Sequence, residues 1–396
     1  MARILTFAGF YSPHIGGAEI LIHDVLSRMV LEGYEVDLIT CNTERVSRHE
    51  IVDGIEIWRI PCCNLLQGTY PVPLPVPDTF RIIWHIFRKK QDIVFTYCRF
   101  YQSTFLGTLI SKLKRVPLIH IELGSSHSVT NKKSVKFVSE FYDHTMGAIV
   151  VKSATKLLAI SGASAKFLEH LGGKNIIIIK PAAGINMGIF KKAPNSLKMR
   201  LGINDSIIIT SVSRLIFAKG IHDLIAAFSL INKQIPHSTL IIVGDGPYKS
   251  VLTEQAKEIG QGNILFLGEI NAVGVAEVLN ITDVFVNPSY SEGDISYPVI
   301  EAGAIGVPSV ITDAGGTREI VEDGKTALIV KIGDVTAIAA KVCELVQNES
   351  LRKYIGQNIS QLVQEDFDWD DIFPLYLQEF KAFSNREKNE IPNKEK

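Results

Sequence analysis

Strand-like apolar runs alternate with amphipathic segments along almost the whole chain and predict an α/β protein of two doubly wound domains with mainly parallel sheets. Length supports this. At 396 residues the chain exceeds one ordinary domain and suits two of Rossmann size. A hydrophobic content of 46% supplies two sizeable cores. The alternation also restarts after a segment punctuated by Pro181 and Gly184, which places domains at 1–180 and 195–366 with a linker over 181–194.

In the first half, RILTFAG, EVDLITC, IEIWRIP, IVFTY, PLIHIE and TKLLAIS read as strands. Helices are expected from Ala18 to Gly33, Thr79 to Lys90, Ser103 to Lys114 and Lys133 to Val151. A second series of strands follows at SIIITSVS, STLIIVG, NILFLG, VFVNPS, PSVITD and ALIV. Residues 367–383 (around WDDIFPLYLQEF) form one amphipathic helix that Pro374 is expected to kink or interrupt. The charged tail over 384–396 has almost no large apolar residue and is expected to be disordered.

A net charge of −1 argues against a general nucleic-acid binder. The charge is uneven: residues 1–180 hold 21 Lys and Arg against 15 Asp and Glu, and the rest hold 20 against 27. The first half thus tolerates an anionic surface or acceptor better, although such imbalances often mark only solvated faces. Five cysteines without regular spacing fit a reducing, cytoplasmic setting. Neither a signal peptide nor a long uncharged apolar run is expected. In PVPLPVPDTFRIIWHIFRKKQ, Phe80, Ile83, Trp84 and Phe87 lie beside Arg81, Arg88, Lys89 and Lys90. That pattern suits either a crossover helix with a basic last turn or a helix lying on an anionic membrane at its inner face.

Four stretches bear on chemistry or on the loops that frame it. FAGFYSPHIGGAEI is a strand, a loop with Gly16 and Gly17, and a helix start, where exposed amides and the helix dipole favour an anion. It is not the dinucleotide fingerprint, since no acid stands in the ribose position. SVSRLIFAKGIHDLIAAF puts Arg214 and Lys219 after a strand and before a helix. A forked guanidinium and an ammonium there suit a diphosphate and make a metal unnecessary; alone, they would read as solvated loop charges. VGDGP is an architectural turn.

The fourth is NPSYSEGDISYPVIEAGAIGVPSVITDAGGTREI, expected at the carboxyl end of a buried strand, where open α/β sheets bind ligands. With Pro298 as the first helix residue, Glu301 is expected in the first helical turn, its two oxygens able to take both protons of a ribose diol. Glu292 can accept from sugar hydroxyls, while amides of Gly293, Asp294, Ile295 and Ser296 face sugar or phosphate. The plainer alternative makes Glu301 a dipole-stabilising residue and Glu292 an exposed loop acid.

The ordered set GGAE, PAAGINMGIF, SRLIFAKG, VGDGP, ITDVFVNPSYSEG, IEAGAIGVPSV and DAGGTREIVEDGKTALIV resembles the family 4 retaining glycosyltransferases of the GT-B fold, over nearly the whole chain. The resemblance implies two Rossmann-like domains facing across a cleft, the C-terminal one holding a nucleotide-diphosphate sugar and the N-terminal one a glycan, glycolipid or small-molecule acceptor. It implies that Arg214 and Lys219 contact the diphosphate, Glu301 the ribose and Glu292 the donor sugar. The Gly16-Gly17 loop would close over the phosphates, and the terminal helix would return to the first domain. No cofactor or metal is implied beyond the donor. Transfer on one sugar face, with the departing diphosphate helping to take the acceptor's proton, needs no strong enzymic base.

Three departures accompany it. Eight residues, not the usual seven, separate Glu292 from Glu301; Asn186 stands where the linker commonly has Asp; and Leu123 stands where a His often precedes Gly. His120, Glu122 and His127 are the polar residues nearby, and Glu122 is preferred for acceptor or sugar contact. Two alternatives stay open: a nucleotide-sugar epimerase or hydrolase on a related scaffold, and a non-catalytic nucleotide-sugar-binding protein.

Overall fold

A computed structural model describes residues 2–14, 16–65, 68, 70–129, 133–259, 263–293 and 296–384. Of the tail expected over 384–396, Ser384 ends the last helix and residues 385–396 lie outside the described residues. The chain divides into a first unit of Met1–His127, Ser134–Ala182 and Asp370–Lys396, and a second of Ser128–Lys133 and Ala183–Trp369.

The first unit contains β1 (Arg3–Phe7), β2 (Glu35–Cys41), β3 (His49–Val52), β4 (Ile55–Ile60), β5 (Cys62–Leu65), β6 (Tyr70–Pro73), β7 (Ile93–Tyr97), β8 (Leu118–Glu122), β9 (Lys156–Ala159) and β10 (Ile176–Ile178). Its helices are α1 (Gly17–Leu31), α2 (Pro77–Arg88), α3 (Gln102–Lys114), α4 (Lys133–Tyr142), α5 (Ala148–Ser153) and α6 (Gly162–His170). The main sheet runs β10-β9-β8-β7-β1-β2-β4-β3. Order reverses at β1, which pairs in parallel with both β2 and β7. β7 and β8 are buried at every position, as expected of strands covered on both faces.

Several elements differ from expectation. β3 is a short antiparallel edge strand on β4, and β5 and β6 form a separate hairpin; all three are four residues long, too short to announce themselves. The helix expected from Lys133 to Val151 is α4 and α5 joined by a π-helical turn at Asp143–Gly147.

The second unit contains β11 (Ile207–Val212), β12 (Ser238–Val243), β13 (Ile264–Gly268), β14 (Val284–Asn287), β15 (Ser309–Thr312) and β16 (Leu328–Val330). Its helices are α7 (Leu197–Leu201), α8 (Ile221–Gln234), α9 (Lys249–Glu258), α10 (Ala272–Asn280), α11 (Tyr297–Ile305), α12 (Thr317–Ile320), α13 (Val335–Gln347) and α14 (Glu349–Asp366). All pairs are parallel, in the order β13-β12-β11-β14-β15-β16. Two apolar clusters cover its faces, one centred on α11 and α14 residues and the other on α8 and α13 residues.

The last helix, α15 (Trp369–Ser384), runs through Pro374. Proline removes only one helical N–H, and tertiary anchors hold the segment. Within the first unit the Tyr376 hydroxyl donates to the Ala182 carbonyl at 2.7 Å, Glu379 pairs with Lys156 at 2.8 Å, and Phe380 packs edge-on against Phe95.

Candidate active site

The strand order of the second unit reverses between β11 and β14, and open α/β sheets bind ligands outside the carboxyl ends of strands at such a point. The loops after β11, β12 and β14 converge there because glycines allow it. Gly220 has φ 65°, and a Cβ would lie 2.0 Å from the Pro288 carbonyl oxygen; at Gly244, with φ 129°, it would lie 1.9 Å from the Ser213 oxygen. Neither position accepts a side chain. The Tyr290 amide then donates to the Ala218 carbonyl at 2.8 Å, which ties the β14 loop to the β11 loop.

On this frame Lys219 ends a short 3-10 turn, and its ammonium reaches Glu292 Oε1 at 2.7 Å. One of three ammonium donors is so used, leaving two for an anion. Arg214 is half-buried in the same loop, and its guanidinium has no partner among the described residues. Asn287 donates to Glu292 at 3.4 Å, and Thr312 Oγ1 donates to the Ser289 carbonyl at 2.5 Å, so side chains from β14 and β15 brace the loop. The Gly293 carbonyl accepts from the Gly316 amide at 3.2 Å. Asp294 and Ile295 lie outside the described residues.

Glu301 differs from expectation. α11 begins at Tyr297, with Ser296 as its N-cap and Pro298 second, so Glu301 stands in the second turn, beyond strong help from the dipole. It is 8% exposed, and burial alone pushes its carboxyl up to about 8. No hydrogen-bonding partner answers it among the described residues. A buried acid left so is the state expected of a ligand group awaiting its hydroxyls.

The sequence reading missed an aromatic stack beside this loop. The rings of Phe217, His222 and Tyr290 lie within 5.6 Å of one another and nearly parallel. Tyr290 donates to Asp223 at 2.6 Å and meets His222 at 3.2 Å. Burial first, then Asp223, raises the Tyr290 phenol, and burial lowers the His222 imidazole. Only the ring types at 217, 222 and 290 hinted at this, across a separation that periodicity does not reach.

In the first unit, Gly16 is the extended N-cap of α1 and Gly17 its first residue. A Cβ at Gly16 would lie 2.3 Å from Glu19 Oε2, a buried carboxylate that the sequence reading passed over.

Glu122 is not placed for acceptor or sugar contact. It is fully buried, with Arg99 Nη1 at 2.9 Å, the Gly124 amide donating at 2.9 Å and His120 Nε2 at 3.6 Å. Burial would raise its carboxyl, but Arg99, His120 and the Gly124 amide outweigh it and hold the value at about 2. His120 is also fully buried and engages Thr96 at 3.0 Å. The alternation that places both residues on one strand face carried no information on depth.

Residues 196–362 match the family described as Glycosyl transferases group 1, and residues 15–183 that described as Glycosyltransferase Family 4. An uncharacterized glycosyltransferase of Methanocaldococcus jannaschii is 27% identical over 391 residues, 97% of this chain and 99% of that protein. The capsular polysaccharide biosynthesis glycosyltransferase CapM of Staphylococcus aureus is 31% identical over 262 residues, 62% of this chain and 67% of its own length. Among solved structures, sucrose-phosphate synthase from Thermosynechococcus elongatus aligns with a TM-score of 0.79 at 21% identity, covering 96% of this chain and all of that one. Anabaena HepE, solved with UDP and glucose, gives 0.77 at 20% identity with the same coverage. These likenesses show the fold, and the names of the sequence relatives favour neither the epimerase or hydrolase nor the non-catalytic alternative. The chain belongs to the group 1, family 4-like glycosyltransferases and is an enzyme of the GT-B fold.

Proposed function

We propose that this glycosyltransferase retains anomeric configuration and moves a sugar from a nucleotide-diphosphate sugar to a glycan, glycolipid or small-molecule acceptor. One observation carries the proposal: at the switch point of the second sheet, Lys219 meets Glu292 while Arg214 stands in the same loop without a partner among the described residues. Arg214 and Lys219 take the diphosphate, Glu301 the ribose diol, and Glu292 with the Gly293, Asp294 and Ile295 segment the donor sugar. The bond from C1 to the diphosphate oxygen breaks as the acceptor oxygen bonds C1 on the same face, and the acceptor's proton passes to the departing diphosphate. Charge grows on that oxygen, so two cations stabilise the transition state more than the ground state. No metal or cofactor is proposed for this step.

The relatives' names are consistent with a nucleotide-activated donor. A GDP-mannose-dependent phosphatidylinositol monomannoside mannosyltransferase of Corynebacterium glutamicum is 24% identical over 391 residues, and HepE was also solved with UDP-glucose. Screening UDP-, GDP- and ADP-sugars by thermal stabilisation identifies the donor. Arg214→Ala and Lys219→Ala each lower kcat by about 100-fold or more, with smaller change in KM. Unchanged turnover in both variants, or a product of inverted configuration by NMR, refutes the assignment.

A peripheral contact with an anionic membrane is proposed as well, because α2 leaves Phe80 and Trp84 more than half exposed beside Arg81, which stays largely exposed although it pairs with Asp78 at 3.1 Å. Lys89 contributes nothing to it, being paired with Asp37 at 2.6 Å and Glu56 at 2.7 Å. Among the described residues no helix is long and apolar enough to cross a membrane.

A further inference from the structure

Three histidines far apart in sequence meet in the first unit. His127 follows β8, His144 lies in the π-helical turn, and His170 is the last residue of α6. One ring nitrogen from each lies within 4.8 Å of the other two. His144 and His170 are exposed and no hydrogen bond among the described residues holds either ring, although His170 lies beside Phe167 and His144. A tetrahedral zinc-type ion with bonds of about 2.0–2.1 Å needs its nitrogens roughly 3.4 Å apart, a closure within reach of rotation about the side-chain bonds.

The surroundings supply what a bare histidine cluster lacks. His127 Nδ1 donates to Asp143 Oδ2 at 2.7 Å, which fixes the tautomer, orients the ring and leaves Nε2 with its lone pair, as outer carboxylates do for metal-binding imidazoles. Asp143 is itself buried, accepts from Arg99 Nη2 at 3.0 Å, and has its second oxygen buried without a partner. Arg99 is shared with Glu122 at 2.9 Å. Two buried carboxylates against one buried guanidinium leave a net negative charge beside His127, which favours a cation on that ring. His120 touches this network only at its Glu122 end. The π turn places Asp143 inward and His144 outward in consecutive residues, and such turns recur at functional sites.

We propose that His127, His144 and His170 of the first unit bind one zinc-type divalent cation, oriented by Asp143. Three imidazoles and an open fourth position suit zinc, nickel or cobalt over magnesium or calcium, which prefer oxygen. Bound there, the cation ties the segment after β8 to the π turn and to α6, and so steadies the loop that carries Gly124.

The test uses the full chain freed of metal by a chelator and titrated with Zn2+ by calorimetry and Co2+ by visible absorption. The expected result is one equivalent of either ion, with cobalt bands of a nitrogen site and no thiolate-to-cobalt band of the kind Cys62 or Cys63 would give. Zn2+ raises Tm of the wild type. The double variant His144→Ala/His170→Ala, altered only at exposed positions and checked for native circular dichroism, binds neither ion at that site and shows no Tm rise. Absence of binding by the wild type, equal affinity in the double variant, or a thiolate band overturns the proposal. Donor stabilisation by nucleotide sugars is read separately, so failure here leaves the transferase reading untouched.

Discussion

Glu301→Gln separates the proposed ribose contact from a purely structural role. The wild-type carboxyl is raised to about 8 by burial, from an ordinary value of 4.5. A raised acid favours the protonated folded state, so its stabilising contribution is whole below about pH 4.5 and is lost as pH climbs through 8. At 1.36 kcal/mol per unit, the loss is on the order of 3 kcal/mol at pH 7 and 5 kcal/mol above pH 8. Glutamine has no charge to desolvate. The variant should therefore melt at a temperature close to wild type at pH 5 and several degrees higher at pH 8.5, by scanning calorimetry. Nucleotide binding should move the other way. The ionised carboxylate can accept both ribose hydroxyls, and loss of a charge-assisted bond of about 1.5–3 kcal/mol weakens binding by about 10- to 150-fold. Because the acid must ionise to bind, wild-type affinity rises about tenfold per pH unit below 8 with proton release, measured by titration calorimetry in two buffers. Equal melting of both proteins at pH 8.5, together with equal nucleotide affinity, refutes the reasoning.

Glu122→Gln should destabilise the protein by about 3–5 kcal/mol at pH 7, because it leaves Arg99 in a broken buried network. Held at about 2 against an ordinary 4.5, Glu122 contributes stability above pH 4.5 that is lost as pH falls through 2. The gap in urea midpoint between wild type and variant should narrow from pH 7 to pH 3, with kcat per folded molecule unchanged; a large kcat loss in folded variant would restore a catalytic role. Gly220→Ala should cost more than about 1 kcal/mol and lower kcat, since a Cβ meets the Pro288 carbonyl and shifts Lys219; a variant with wild-type urea midpoint and turnover contradicts this. Phe80→Ala/Trp84→Ala should abolish flotation with phosphatidylserine vesicles while leaving transfer to a soluble acceptor intact, and the membrane proposal falls if wild type never floats.

The strands near Ile4, Val94, Ile119, Ile209 and Val286 were legible because each is an apolar run bounded by turn residues, and their alternation with helices implied parallel sheets. Arg214, Lys219 and Glu292, the proposed donor contacts, drew notice for a related reason: each follows such a strand, and strand ends are where these sheets bind ligands. β3 and the β5–β6 hairpin were not, since four-residue segments without a clear alternation gain their form only from a partner strand. Pro374 reads as a helix break, but anchoring by Tyr376 and Phe380 outweighs one lost hydrogen bond.

Local pattern and family resemblance thus reach as far as the type of fold, the order of its elements and the loops proposed to hold the donor, because hydrophobic period and turn residues act over short stretches of chain. Depth and partnership belong to the tertiary structure. Glu122 and Glu301 are both acids beside buried apolar runs, yet one is held at about 2 by Arg99 and its neighbours and the other is raised to about 8 with no partner among the described residues. The meeting of His127, His144 and His170 is likewise a product of packing. Desolvation and charge pairing depend on what the folded chain brings alongside a residue, and for these residues most of that comes from segments tens of positions away.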